Sequence, residues 1–211
     1  MNRLVASNIS KVIRRTAVLQ NIDLDLTGGK VYAFCGENGS GKTMLFRVLS
    51  GLSRPTSGQV LYNGIDLDTR KRPFVRIGVT IENISLYPQF TGWHNLYYLS
   101  KINKLISPDD IASAMRRVGL DPTDKRIVGK YSLGMRQRLV IAQAVMEQPD
   151  FLFLDEPTNA IDRDGVSLIH DIIRQEAERG AVVLIASHID GDISHVADMR
   201  FTMREGRMYH D

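Results

Sequence analysis

The chain has 211 residues, 43% hydrophobic and 24% charged, enough for one globular domain with its own core and room for an inserted subdomain. A formal charge of +3, with Lys and Arg spread among Asp and Glu, argues against nucleic-acid binding, and the run Arg70-Lys71-Arg72 reads as a solvated loop. One cysteine, Cys35, excludes an internal disulfide, and no segment reaches the roughly 18–20 apolar residues of a spanning helix, so any membrane work needs a partner.

In chain order, residues 19–27 alternate, with Ile22, Leu24 and Leu26 on one face and Asp23, Asp25 and Thr27 on the other, the pattern of a half-buried strand. Residues 31–35 form a continuous apolar run of the kind buried on both faces of a sheet. A Gly-rich loop follows, then a helix over 44–50 that ends near Gly51. Asn63-Gly64, set between residues 60–62 and 65–67, predicts a hairpin, and 76–81 another strand. From Trp93 to Gln148 the periodicity is helical, over 95–102, 107–118 and 135–147. The second of these starts with Ser107 as cap, Pro108 in the first position and Asp110 closing a capping box. Strands return at 151–154 and 181–186, with a helix over 164–179 between them. Strands alternating with helices predict an α/β fold with a mostly parallel sheet, built from residues 1–82 and 149–211 and interrupted by a helical subdomain over 83–148.

Gly36-Glu37-Asn38-Gly39-Ser40-Gly41-Lys42-Thr43 fits G-x-x-x-x-G-K-[ST] in full, after a buried strand and at the opening of a helix. Glycines there let backbone N–H groups converge on phosphate oxygens, and the helix N-terminus favours negative charge. Gly36 to Thr43, with Met44 next in line, are the nucleotide-binding candidates. Lys42 is placed to reach the β- and γ-phosphates, and the Thr43 hydroxyl to ligate Mg²⁺. Four apolar residues then lead to Asp155-Glu156, which puts two carboxylates at the C-terminal end of a buried strand, where parallel sheets bind ligands. Asp155 suits a Mg²⁺ shell and Glu156 a water-activating role.

Between these motifs, Tyr131-Ser132-Leu133-Gly134-Met135-Arg136-Gln137-Arg138-Leu139 resembles the ABC signature, usually written L-S-G-G-Q, with its Gln-Arg continuation. Pro157-Thr158-Asn159-Ala160-Ile161-Asp162 resembles the loop that ends in a shared Asp, and Ala186-Ser187-His188 the switch histidine. The landmarks stand in family order across nearly the whole chain, which resembles an ABC transporter ATP-binding subunit. The resemblance implies a P-loop NTPase (RecA-like) core, an N-terminal antiparallel β part, and hydrolysis of ATP with Mg²⁺. It implies two cassettes packed head to tail, with Ser132 and Gly134 of one reaching the γ-phosphate held by the other, Asp162 in the shared loop, and His188 on the γ-phosphate of its own subunit. It also implies a separate membrane-spanning permease, a place on the cytoplasmic face of the cell membrane, and no nucleic acid.

Four positions depart from the family pattern. Ile13 stands where an aromatic usually stacks on adenine, so weaker or less base-selective binding is expected. Glu82 replaces the usual glutamine after the strand over 77–81; it retains a ligand for Mg²⁺ but adds a charge. Leu133 and Met135 replace a glycine and a glutamine of the signature. With Ile81-Glu82-Asn83 and Tyr87-Pro88, these changes resemble the bacterial branch of bacitracin-resistance and lantibiotic-immunity subunits. Two other readings stay open: a soluble ABC ATPase uncoupled from transport, and a nucleotide-binding regulator without turnover.

Overall fold

The computed structural model describes residues 1–66, 75–81, 86–188 and 195–210. Strands β1 (Arg3–Ile13) and β2 (Thr16–Thr27) form a long antiparallel hairpin, turned by Arg14 and Arg15 at φ 45° and 69°. With β4 (Ser57–Tyr62) and β5 (Ile65–Asp66) they make a four-stranded antiparallel sheet in the order β2-β1-β4-β5. The expected Asn63-Gly64 turn is present, with φ of 52° and 82°. Strand β1 is not evident from alternation because its register shifts between Ala6 and Ile9, where Asn8 adopts φ 52°; the irregularity breaks the period of two.

The second sheet has six strands in the order β10-β9-β3-β8-β7-β6. Here β3 is Lys30–Cys35, β6 Ile77–Thr80, β7 Phe151–Asp155, β8 Val182–Ser187, β9 Met199–Arg204 and β10 Arg207–His210. Every pairing is parallel except β9 with β10, so the mostly parallel sheet carries an antiparallel hairpin at one edge. Each central strand sends alternate side chains into one of two cores. Val31, Ala33, Leu152, Leu154, Val183 and Ile185 face helices α4 (Leu133–Val145) and α5 (Arg163–Glu178). Tyr32, Phe34, Phe151, Phe153 and Leu184 face helix α1 (Lys42–Leu49) and the antiparallel sheet. Burial on both faces is why β3, β7 and β8 read as unbroken apolar runs. Rings lock α1 to the sheet: Phe46 meets Phe34 at 5.4 Å and Phe153 at 5.9 Å, both edge to face.

Helices α2 (Gly92–Asn103) and α3 (Pro108–Arg117) follow β6, and α3 packs between α2 and α4. The capping box at α3 is formed as expected: the Ser107 side chain accepts from the Asp110 amide, and the Asp110 carboxylate accepts from the Ser107 amide at 2.8 Å. Helix α2 starts earlier than its apolar spacing suggests, because Thr91 caps it by accepting from the His94 amide at 3.2 Å. The backbone of α4 lies directly on β6, where a Cβ on Gly78 would stand 2.1 Å from the Ala144 carbonyl oxygen. Among the described residues no helix is long and apolar enough to cross a membrane.

Candidate functional site

Strand β3 ends at Cys35, and the chain curls through Gly36 to Gly41 before entering α1. Gly36, Gly39 and Gly41 take φ of 150°, 83° and 107°, a left-handed path that the motif's glycines make accessible. The Lys42 side chain folds back inside the curl, its ammonium donating to the carbonyls of Gly36 at 2.6 Å and Glu37 at 3.0 Å. An ammonium has three N–H donors, so one is left for a phosphate oxygen. Beside the loop opens a groove of about 940 Å³, walled by Gly36 to Ser40, His188 and the β9–β10 hairpin. Met44 sits one residue further, half-buried against the aromatic core.

The two acids stand at the end of β7, next to the loop. Thr43 Oγ1 donates to Asp155 Oδ2 at 2.6 Å, which brings two oxygens of the kind Mg²⁺ prefers to the first turn of α1. This pair, beside a loop that suits phosphate, fits a cation carried by a nucleotide. Glu156 adopts φ 49°, and its amide donates to the Ala186 carbonyl of β8 at 2.9 Å. His188, just beyond β8, places Nδ1 2.8 Å from Glu156 Oε1. The pairing exists because β7 and β8 are adjacent and parallel, in the register Asp155 opposite Ala186.

Ser132 caps α4 by accepting from the Met135 amide at 3.2 Å, so this helix starts two residues before its expected boundary and Gly134 falls within its first turn. Leu133, in the glycine position of the signature, is 67% exposed. Gly134 faces the loop after β7: a Cβ there would sit 3.0 Å from the Ala160 carbonyl oxygen. Among the described residues that line the groove, none comes from the signature. Asp162 caps α5, accepting from the Gly165 amide at 3.2 Å, and pairs with Arg138 of α4 at 2.7 Å. Two signature residues thus have partners that spacing does not announce. Arg138 holds Asp162, and the Gln137 side-chain amide lies 3.5 Å and 3.4 Å from the carbonyls of Glu156 and Pro157. Ile13 ends β1 beside the hairpin tip and is 39% exposed. Glu82 lies outside the described residues.

Residues 19–159 match the family described as ABC transporter. Among curated proteins, the chain is 47% identical over 201 residues to the ABC transporter ATP-binding protein YybJ of Bacillus subtilis, covering 95% of this chain and 92% of that one. It is 34% identical over 205 residues to the lantibiotic transport ATP-binding protein SrtF of Streptococcus pyogenes, covering 97% and 88%. The fold superposes on the dimeric ABC transporter cassette MJ0796 with a TM-score of 0.86 at 20% identity, covering 98% of both chains. The chain belongs to the ABC transporter family and is one of its ATPase cassettes.

Proposed function

We propose that this ATPase powers a separate membrane-spanning permease, working as a head-to-tail pair from the cytoplasmic face, and that the cargo exported is a peptide, an antibiotic or another small solute. The observation that carries the catalytic part is the His188–Glu156 contact at 2.8 Å beside the phosphate loop. A carboxylate held by an imidazole at the end of a strand is placed to orient a water against a phosphoryl group. The loop Gly36 to Thr43, with the Lys42 ammonium, would hold the β- and γ-phosphates. Thr43 and Asp155 would hold Mg²⁺, with Glu82 a further ligand. When bound, the cation neutralises charge on the transferring phosphoryl oxygens. Glu156 polarises the attacking water, and His188 contacts the γ-phosphate.

The exposed N-terminus of α4 supports the dimer reading. Ser132 and Leu133 are exposed at this end and do not line the groove beside their own loop, so in this reading a second copy brings its nucleotide to them. Asp162 belongs to the same contact in this reading. The unit of residues 83–148, held on the sheet by α4, would take the thrust between nucleotide and permease, with contact to the permease along residues 82–95. The peptide cargo rests on the likeness to a lantibiotic transport protein.

The test is steady-state hydrolysis by the purified chain. Glu156→Gln, which keeps size and loses the charge, is expected to reduce kcat by at least about 100-fold while ATP still binds. Equal rates from the two proteins would leave a nucleotide-binding regulator.

A further inference from the structure

One wall of the groove, the β9–β10 hairpin, contains none of the nucleotide motifs. Its two turn residues, Glu205 and Gly206, adopt φ of 48° and 75°. The Gly206 amide donates to the Ser40 carbonyl at 2.9 Å, and the Gly206 carbonyl accepts from the Gln20 amide of β2 at 2.8 Å. The Gln20 side chain completes the tie: Nε2 donates to the Glu205 carbonyl at 3.0 Å, and Oε1 accepts from Arg207 Nη2 at 3.2 Å. The antiparallel sheet therefore grips the turn, and the turn grips the phosphate loop.

The packing leaves no slack at either end of that loop. A Cβ on Gly206 would lie 2.3 Å from the Val18 carbonyl oxygen. One on Gly41 would lie 3.0 Å from the same oxygen and 3.4 Å from Gly206 Cα, and one on Gly36 would lie 2.3 Å from the Met203 carbonyl oxygen of β9. A single hairpin thus abuts both the first and the last glycine of the motif. The consequence is chemical as well as steric. The Ser40 carbonyl and the Gly41 N–H belong to one trans peptide plane and point in opposite directions. Anchoring the carbonyl on Gly206 turns the Gly41 N–H away from the hairpin, at the point where the free amides of α1 begin.

We propose that Gly206 and Gln20 are positioning residues for nucleotide binding: they fix the Ser40–Gly41 peptide so that its N–H faces the phosphates. This rests on residues 36–43 being the ATP cradle, and the two ideas fail separately. The experiment measures the Kd for ATP with Mg²⁺ by calorimetry, the KM and kcat for hydrolysis, and the melting temperature of the nucleotide-free protein. It compares Gln20→Ala, Gln20→Leu, Gly206→Ala and Lys42→Ala in the full chain. Loss of a positioned hydrogen-bond donor predicts Kd and KM raised roughly fivefold to tenfold in both Gln20 variants, with kcat nearly unchanged and the nucleotide-free protein still folded. Gly206→Ala is expected to lose more, and if it does not fold, the Gln20 pair decides. Gln20 variants that melt earlier yet bind ATP as the parent does would show a merely structural tie and overturn the proposal. Lys42→Ala separates the cases. Binding lost in Lys42→Ala but kept in the Gln20 variants overturns the positioning role alone, and binding kept in Lys42→Ala overturns the cradle beneath it.

Discussion

Glu156 illustrates how a backbone places the group proposed here to act on the attacking water. A non-glycine residue at φ 49° costs roughly 1–2 kcal/mol, and here the conformation is held by the amide bond to Ala186. The turn swings the carboxylate off the line of β7 and onto His188. Ile13 offers a different test at this scale. It stands half-exposed at the hairpin tip with no ring to stack on a base. Replacing it with tyrosine is expected to tighten ATP binding by about 1–2 kcal/mol, roughly 5- to 30-fold in Kd, with a smaller gain for ribose triphosphate lacking a base. Equal Kd values for parent and variant would show that the base is held elsewhere. The motif glycines, Lys42, Thr43, Asp155 and Glu156 were picked out by their spacing and His188 by the family resemblance, and the structure brings Thr43 to Asp155 and His188 to Glu156. Gln20 and Gly206 were not legible in the sequence, since their tie joins residues 186 positions apart and neither stands in a motif whose spacing announces it.

At the scale of elements, ionic contacts join what the sequence separates. Glu176 of α5 is 1% exposed and is held by Arg117 of α3 at 2.7 Å and Arg179 at 2.6 Å. Glu176→Ala leaves two guanidinium groups that retain partial access to water, so the expected loss is about 2–4 kcal/mol, read as a fall in melting temperature of roughly 5–10 °C. The exposed neighbour Glu178→Ala serves as the control and is expected to change little. Asp198, at the foot of β9, is a second such point. Partial burial pushes its pKa up, but the Val31 amide at 2.8 Å and Arg174 at 2.9 Å outweigh this and hold it below the usual 3.8. A depressed carboxylate stabilises the fold above the unfolded value and loses that contribution as pH falls through the folded one. Asp198→Asn should therefore melt below the parent at neutral pH, with the gap closing as pH drops below about 4. A gap that stays constant to pH 2 would mean that its charge does not matter.

The elements themselves divide by how cleanly their signals are written. Helix α3 was legible to its capping box, and β3, β7 and β8 to within a residue or two, because burial on both faces demands continuous apolar runs. The β9–β10 hairpin was not. As a sheet edge it carries Arg200, Arg204 and Arg207 among its apolar residues, and its turn is Glu205-Gly206 rather than Asn-Gly or Asp-Gly. It nevertheless forms a wall of the site.

For the whole molecule, one feature dominates: no signature residue is among the described residues that line the groove beside the phosphate loop, and in the proposed reading one copy therefore holds two half-sites and completes neither. In that reading the chain reports on its nucleotide only through partners, first a second cassette and then a permease. Sequence order exposed the motif set, while which residues line the groove needed the folded chain. The most direct test is to express the tagged Glu156→Gln chain in its native cells, fractionate the membranes, and identify what co-purifies in mild detergent with ATP and Mg²⁺ present. The account predicts a dimer of the cassette in the membrane fraction together with a polytopic protein, and hydrolysis by the parent chain that responds to that protein in reconstituted vesicles. A cassette recovered only in soluble complexes, with no polytopic partner and an ATPase rate indifferent to membranes, would contradict it.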